Sequence, residues 1–514
     1  MKEYFKILLI TTLFANASCK VAKNAVAIKD DGKIEIVYLQ VNDVYEIAPV
    51  AGGKEGGMAR VATLKKQYKQ SNPNTFLVIA GDFISPSVYN SLQYNSQRIR
   101  GAQMIDCMNV AGMDLAVFGN HEFDFSEKDL QDRINESKFL WVSSNTFHKI
   151  KDSIVPFSKT NVPGADPFPQ TYIMSVKDTD GTTAKIGFIG LTLSSNPAEY
   201  VSYKNPLITA KQLYNLIKDS VDAVVAITHQ TLENDIKLAT ELPGLAAILG
   251  GHEHSGVFRK TGNVNITKAE ANAKTAYVVK LLINKNTHHS NITSELHYLD
   301  EKVAIDSTTD IVVQKWKKIA EDNYASLGFD PKKIVIASGE ALDGRETETR
   351  NKSTNFTRLI TQAMAYACPQ ADVVIFNSGS IRLDDILTPP VSQYDIIRSL
   401  PFGGRIEEAD MKGSLLIQVL QTGLKNTNSG GFLQYQPVYN NTGNSFMLNN
   451  APVDSLKTYR VAMTEFLFSG KEKNLGFLNP QNPGIIKIYP SNTSANNLKS
   501  DIRLAIIKYL ESKR

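Results

Sequence analysis

Cysteine and net charge are both scarce in this chain. Only 3 of its 514 residues are cysteine: Cys19, Cys107 and Cys368. Two or three thiols cannot build a disulfide framework, so covalent cross-links do not hold this fold together. Cys107 falls in a helix-like stretch and Cys368 just beyond another, in different expected domains, so both are expected to be reduced and buried. Formal net charge is +4 and no long basic run occurs, which argues against a nucleic-acid polymer as partner. A small phosphorylated ligand needs only a local cluster of cations. No internal repeat or low-complexity tract is present. The length exceeds what one hydrophobic core usually serves, so two domains are expected.

The amino terminus has the make-up of an export signal. Lys2 and Lys6 precede the apolar stretch Ile7–Ala15, which is too short to span a membrane, and the small residues Ala17-Ser18 precede Cys19. A cysteine directly after small residues resembles a bacterial lipoprotein cleavage site, with Asn16 standing where an aliphatic residue is usual. Residues 1–19 are therefore expected to be a signal segment. Two outcomes follow, a lipid anchor at Cys19 or plain cleavage. The expected location is outside the cytoplasm, periplasmic or membrane-anchored, in a bacterium.

Histidine is scarce too. There are 8, and four of them lie in short polar clusters that each follow an apolar run. The clusters are Asn42-Asp43-Val44-Tyr45, Gly81-Asp82, Gly119-Asn120-His121-Glu122, Thr228-His229 and Gly250-Gly251-His252-Glu253-His254. The runs before them are Ile34–Val41, Thr75–Ala80, Leu115–Phe118, Val221–Ile227 and Leu245–Leu249. They are short, apolar and β-branched or aromatic, and read as buried strands. Helix-like stretches lie between several of them: Met58–Tyr68, Gly101–Ala111, Ala210–Asp219 and Glu233–Glu241. Alternation of this kind implies a mostly parallel sheet with crossovers. Each cluster then sits at the carboxyl end of a strand, where open α/β sheets bind ligands. One aspartate after a strand is usually a turn residue, and one histidine there usually an interior one. Five clusters in this order supply carboxylate, amide and imidazole ligands for divalent cations.

Composition shifts near residue 300. Asp306–Lys317 begins polar and turns helix-like, and Leu327-Gly328-Phe329-Asp330-Pro331 stops it. Beyond it come a strand-like Lys333–Ala337, a helix Asn355–Ala367 capped by Ser353 or Thr354, and a strand-like Asp372–Phe376. Four further motifs follow: Asn377-Ser378-Gly379-Ser380-Ile381-Arg382, Ser399-Leu400-Pro401-Phe402-Gly403-Gly404, Gly430-Gly431-Phe432-Leu433-Gln434 and Asn474-Leu475-Gly476-Phe477.

The ordered clusters, with GNHE followed by Phe123-Asp124 and a late GGHxH, resemble the calcineurin-like metallophosphoesterases. The second-half motifs narrow this to the 5′-nucleotidase / UDP-sugar hydrolase family, and the resemblance runs from about Lys33 to Leu478. It implies an α/β chain, α+β overall. A four-layer metallophosphoesterase sandwich would span 33–305, a linker helix 306–331, and an α/β nucleotide-binding domain 332–514. It implies two divalent cations, zinc or manganese. One would be held by Asp43, Asp82 and His254, the other by Asp82, Asn120, His229 and His252, with Asp82 bridging. His121, oriented by Asp124, would stabilise charge on the scissile phosphate rather than bind metal. Glu122 and Glu253 would be hydrogen-bond acceptors behind the ligands, or solvated. Arg350 and Arg382 would grip phosphate, Asn377 the nucleoside, and the rings of Phe432 and Phe477 the base.

One position departs from the family. Where Asp-x-His is usual, this chain has Tyr45, and a phenol with a pKa near 10 is a poor ligand. The Asp43 cation would then lack one protein ligand, unless Tyr45 binds as phenolate or packs beside the site. The expected activity is release of phosphate from nucleoside 5′-monophosphates by a metal-activated hydroxide. The alternatives are a 2′,3′-cyclic nucleotide phosphodiesterase or UDP-sugar hydrolase, and, in another class, a surface lipoprotein that binds nucleosides without turnover.

Overall fold

The computed structural model describes residues 30–195, 198–441, 445–490, 494 and 497–513. The expected signal segment and Cys19 lie outside the described residues. No helix among the described residues is long and apolar enough to cross a membrane.

The amino-terminal domain is built on two six-stranded sheets, the pair that a four-layer sandwich requires. The first runs His289–Tyr298, Thr275–Asn284, Lys33–Val41, Thr75–Ala80, Leu115–Val117, Leu140–Trp141. The second runs Val257–Thr261, Val264–Lys268, Ala247–Gly250, Ala223–His229, Thr183–Thr192, Thr171–Lys177. Both have a parallel centre; the first is antiparallel only on its His289–Tyr298 side, and the second carries an antiparallel strand at each edge. The pattern follows from the sequence of the central strands, which are apolar on both faces. In Lys33–Val41, Ile34, Ile36 and Tyr38 enter the layer between the sheets, while Val37, Leu39 and Val41 face the outer helices. In Ala223–His229, Val225 and Ile227 face inward, and Val224 and Ala226 face the other helical layer. A strand with two apolar faces must be covered twice. Two such sheets back to back give four layers, helix–sheet–sheet–helix.

The helix Ser307–Ser326 is capped by Asp306, which accepts from the Thr309 amide at 2.9 Å. Its Val313, Trp316 and Ala320 belong to a core cluster that also holds Phe356, Ile360 and Ile506. The carboxyl-terminal domain has one five-stranded sheet, ordered Leu433–Gln436, Val373–Asn377, Thr458–Thr464, Ile406–Lys412, Ile485–Tyr489. Helix Asn355–Ala367 starts at a capping box on Thr354. Cys107, inside helix Ala102–Ala111, and Cys368, closing helix Asn355–Ala367, are free and buried.

Candidate active site

Strand register lines up the polar clusters. Parallel pairing sets Val41 beside Ile79, Ala80 beside Val117 and Thr228 beside Gly250. All five clusters therefore open at one end of the two sheets. The turns are severe. Asp43, Asp82 and His252 have φ of 53°, 54° and 81°, a left-handed conformation that side-chain-bearing residues seldom adopt. Close approach also fixes Gly119, where a Cβ would lie 2.1 Å from Asp82 Oδ1, and Gly251, where it would lie 2.2 Å from the Ala80 carbonyl.

Ligand atoms of Asp43, Asp82 and His229 lie within 4.8 Å of one another, all buried. His229 Nδ1 donates to the Ala80 carbonyl at 2.8 Å. That bond leaves Nε2 facing Asp82 Oδ2 at 3.1 Å without an aligned hydrogen bond. Asn120 Oδ1 is also buried and has no partner among the described residues. An imidazole nitrogen, two carboxylates and an orphaned amide oxygen converging in a dry spot suit a divalent cation. Electrostatics reflect the crowding. Burial would lower the His229 pKa, but the charges of Asp82 and Asp43 push it up to about 9. Burial and then the His229 charge push His252 down to about 4.

Across Asp43 the arrangement differs. The Tyr45 hydroxyl lies 3.1 Å from Asp43 Oδ1 and 3.0 Å from His254 Nε2. His254 Nδ1 reaches Asp384 Oδ2, in the other domain, at 2.7 Å. Burial and then the Asp43 charge hold the Tyr45 phenol well above its ordinary pKa, which disfavours the phenolate. Tyr45 does not merely pack beside the site, because its hydroxyl stands between two of the expected ligands.

His121 Nδ1 bonds Asp124 Oδ2 at 2.8 Å, and Ser85 Oγ donates to the same oxygen at 2.9 Å. Burial opposes the imidazolium, but Asp124 and then Asp82 raise the His121 pKa above its ordinary value. Glu122 is fully buried and accepts the amides of Gly119 at 2.6 Å, Phe83 at 2.8 Å and Asp82 at 2.9 Å, clamping two ligand loops together. Lys268, equally buried, donates to the carbonyls of Gln230 at 2.6 Å and Gly251 at 2.7 Å. Its ammonium lies 2.8 Å from Asp235 and also contacts Glu253, whose other oxygen accepts the Leu232 amide at 2.6 Å.

A cleft of about 750 Å³ between the domains joins this centre to the second half of the chain. Its lining includes His121, His252, His254, Arg350 and Arg382. Glu346 bonds Arg350 and lies 3.9 Å from Arg382, and the Nε atoms of both arginines are buried without partners among the described residues. Asn377, Phe432 and Phe477 do not line this cleft. Asn377 is bonded to Glu472 and Ser380 at 2.8 Å each, Phe432 is 7% exposed, and Phe477 packs on the carboxyl-terminal core. Sequence reasoning missed Glu346, Asp384, Lys268 and Asp235. Asp384, Lys268 and Asp235 are defined by partners distant in the chain, and Glu346, although four residues from Arg350, reads locally as an ordinary helical ion pair.

Comparison with known proteins agrees with this geometry. Residues 36–256 match the calcineurin-like phosphoesterase model and residues 335–477 the 5′-nucleotidase C-terminal domain model. The chain is 24% identical over 497 residues to the trifunctional nucleotide phosphoesterase protein YfkN of Bacillus subtilis, covering 86% of this chain and 32% of that protein. It is 24% identical over 472 residues to the human 5′-nucleotidase, covering 82% of this chain and 77% of the human one. The crystal structure of a 5′-nucleotidase precursor from Thermus thermophilus superposes with a TM-score of 0.69 at 20% identity, covering 93% of this chain and 97% of that one.

Proposed function

Because the chain belongs to the 5′-nucleotidase family and is a metal-dependent phosphoester hydrolase, we propose that it releases phosphate from nucleoside 5′-monophosphates outside the cytoplasm. The observation that carries this reading is that Arg350 and Arg382 line the same cleft as His121 and Asp82, the member of the Asp43–Asp82–His229 cluster that faces it. Two guanidinium groups opposite a cation site suit a phosphate dianion attached to a larger group.

In this reading residues 33–305 form the catalytic domain, 306–331 the linker and 332–514 the substrate domain. Asp43, Asp82 and His254 hold one divalent cation, zinc or manganese, and Asp82, Asn120, His229 and His252 hold the other. When bound, such cations supply positive charge to phosphoryl oxygens and lower the pKa of water. The remaining work falls to the chain. Glu122 and Lys268 fix the ligand loops. Arg350 and Arg382 exchange Glu346 for the phosphate. His121, oriented by Asp124, donates a hydrogen bond to the oxygen where charge develops. Asn377, Phe432 and Phe477 are assigned to the nucleoside, a role that requires them to leave their present partners and turn toward the cleft, with stacking worth about 1–3 kcal/mol per base.

The test is phosphate release from AMP, UDP-glucose and a 2′,3′-cyclic nucleotide with added manganese or zinc. AMP is expected to be the best substrate. Faster turnover of the cyclic nucleotide or the UDP-sugar would reassign the activity within the family. Nucleoside binding without turnover of any of the three would leave a binding protein.

A further inference from the structure

The two sides of the cation site are built differently. On the His229 side two of the atoms that could hold a cation, His229 Nε2 and Asn120 Oδ1, are buried and make no hydrogen bond among the described residues. On the His254 side every such atom is engaged. Nδ1 is tied to Asp384 at 2.7 Å, and the Tyr45 hydroxyl lies 3.0 Å from Nε2. The same hydroxyl is 3.1 Å from Asp43 Oδ1, and His254 Nε2 is itself 3.5 Å from that oxygen. Phenol, carboxylate and imidazole thus close a triangle where a cation shared by Asp43 and His254 would sit.

We propose that Tyr45 makes the two cation positions unequal. The position on Asp82, Asn120, His229 and His252 fills first and tightly. The position between Asp43 and His254 is closed by the Tyr45 hydroxyl and fills only at higher cation concentration. The proposal rests on the metal-dependent hydrolase reading for its ligand set and deepens it.

Three features give the closure its strength. Tyr45 is 6% exposed, so its hydroxyl has little water to turn to when displaced. It makes two hydrogen bonds in place, one to a carboxylate, and charge-assisted bonds are the stronger class. His254 is held from behind by Asp384, whose other oxygen accepts the Glu346 amide at 2.7 Å, so the ring is not free to swing toward a new partner. A cation entering here must strip both bonds from a buried hydroxyl and gains only a neutral phenol in return. A stranded buried donor corresponds to about ten- to hundredfold in affinity.

The experiment is cation binding to the full chain after chelator treatment, with no nucleotide present. Zinc or manganese is titrated against a competing chromophoric chelator, and bound metal is counted by elemental analysis after gel filtration. The wild type is expected to hold one tight equivalent per chain and a second at least about tenfold weaker. Tyr45→His should bring the second within a few-fold of the first. Tyr45→Phe keeps the ring and removes the hydroxyl, so it should tighten the second position without a new ligand. It also guards against misfolding in the histidine variant. Two equally tight equivalents in the wild type, or none, would overturn the proposal. So would a second affinity unmoved in both variants. A chain that binds cations as expected yet hydrolyses no nucleotide would instead overturn the substrate assignment and leave this one standing.

Discussion

The two walls of the cleft hold their side chains by different means. On the catalytic wall the ligands follow strand ends, and backbone bonds fix them. Glu122 takes four amides from two ligand loops, Asn42 exchanges bonds with both the amide and the carbonyl of Ala269, and Lys268 hooks the carbonyls beside His229 and His252. On the opposite wall Arg350 is held side chain to side chain by Glu346, and the ion pairs Lys274–Asp385 and His254–Asp384 tie the two walls together. Backbone-anchored groups suit chemistry that tolerates little displacement. Exchangeable ion pairs suit a surface that must release its partners to grip a substrate.

Breaking the catalytic wall should have the largest effect. Asp82→Ala removes the carboxylate proposed to be shared by both cation positions, and the purified variant is expected to carry almost no tightly bound zinc or manganese. Wild-type metal content would show that Asp82 is not the bridge. His121→Ala should leave metal content intact and lower kcat on the order of 10²–10³-fold, as removal of a transition-state hydrogen-bond donor does. A metal missing from that variant would make His121 a ligand.

The opposite wall should respond in binding rather than chemistry. Arg350→Met is expected to raise KM for AMP roughly tenfold, the loss of one charge-assisted phosphate contact. Phe432→Ala should raise KM for nucleotides and spare p-nitrophenyl phosphate, which has no base to stack. Equal losses on both substrates would make the buried Phe432 a core residue.

The smallest effect belongs to the joint between the walls. Burial would raise the Asp306 pKa, but Lys66 and the Thr309 amide hold it below its ordinary value. A depressed folded-state pKa gives stability that is present above about pH 4 and lost as pH falls through the folded value. Asp306→Asn keeps a capping oxygen and loses the charge. Its cost should be about 0.5–1 kcal/mol or less at neutral pH, because Lys66 is mostly in solvent. The difference in Tm from wild type should vanish in acid, and a difference constant down to about pH 3 would remove the ion pair from the account.

How much the sequence disclosed follows the same division. Thr75–Ala80 and Asn355–Ala367 have the bounds that periodicity and capping predict. The helix predicted to begin near Asp306 and to stop at Leu327-Gly328-Phe329-Asp330-Pro331 spans Ser307–Ser326, with a buried stripe that runs through Ala320 and Tyr324. Strand and helix alternation implies only a mostly parallel sheet, whereas the family resemblance implies four layers, and the structure has the two sheets that four layers require, both of them mixed. Apolar character on both faces of a strand cannot say whether a helix or a second sheet covers it. The long antiparallel pair Thr275–Asn284 and His289–Tyr298 carries a polar outer strand, which hides it from an apolar-run criterion. Asp43, Asp82, Asn120, His121 and the late histidines were visible because strand ends place them. Asp384 was not, since a partner as far away as His254 leaves no local trace, and Glu346 was not, since an acid four residues before an arginine is common on any helix.

The Lys268 cluster has a consequence for how the chain can vary. Lys268, Asp235 and Glu253 share one buried ammonium between two carboxylates beneath the histidine loops. Removing the lysine alone strands negative charge in the interior, and removing one acid leaves the ammonium short of a partner. Each single change is costly, whereas replacing all three by a well-fitting apolar set can approach neutrality for stability. The three positions therefore behave as one unit of inheritance. A homologue is expected to keep all of them or none, and a chimera that mixes the two states should fold worse than either parent.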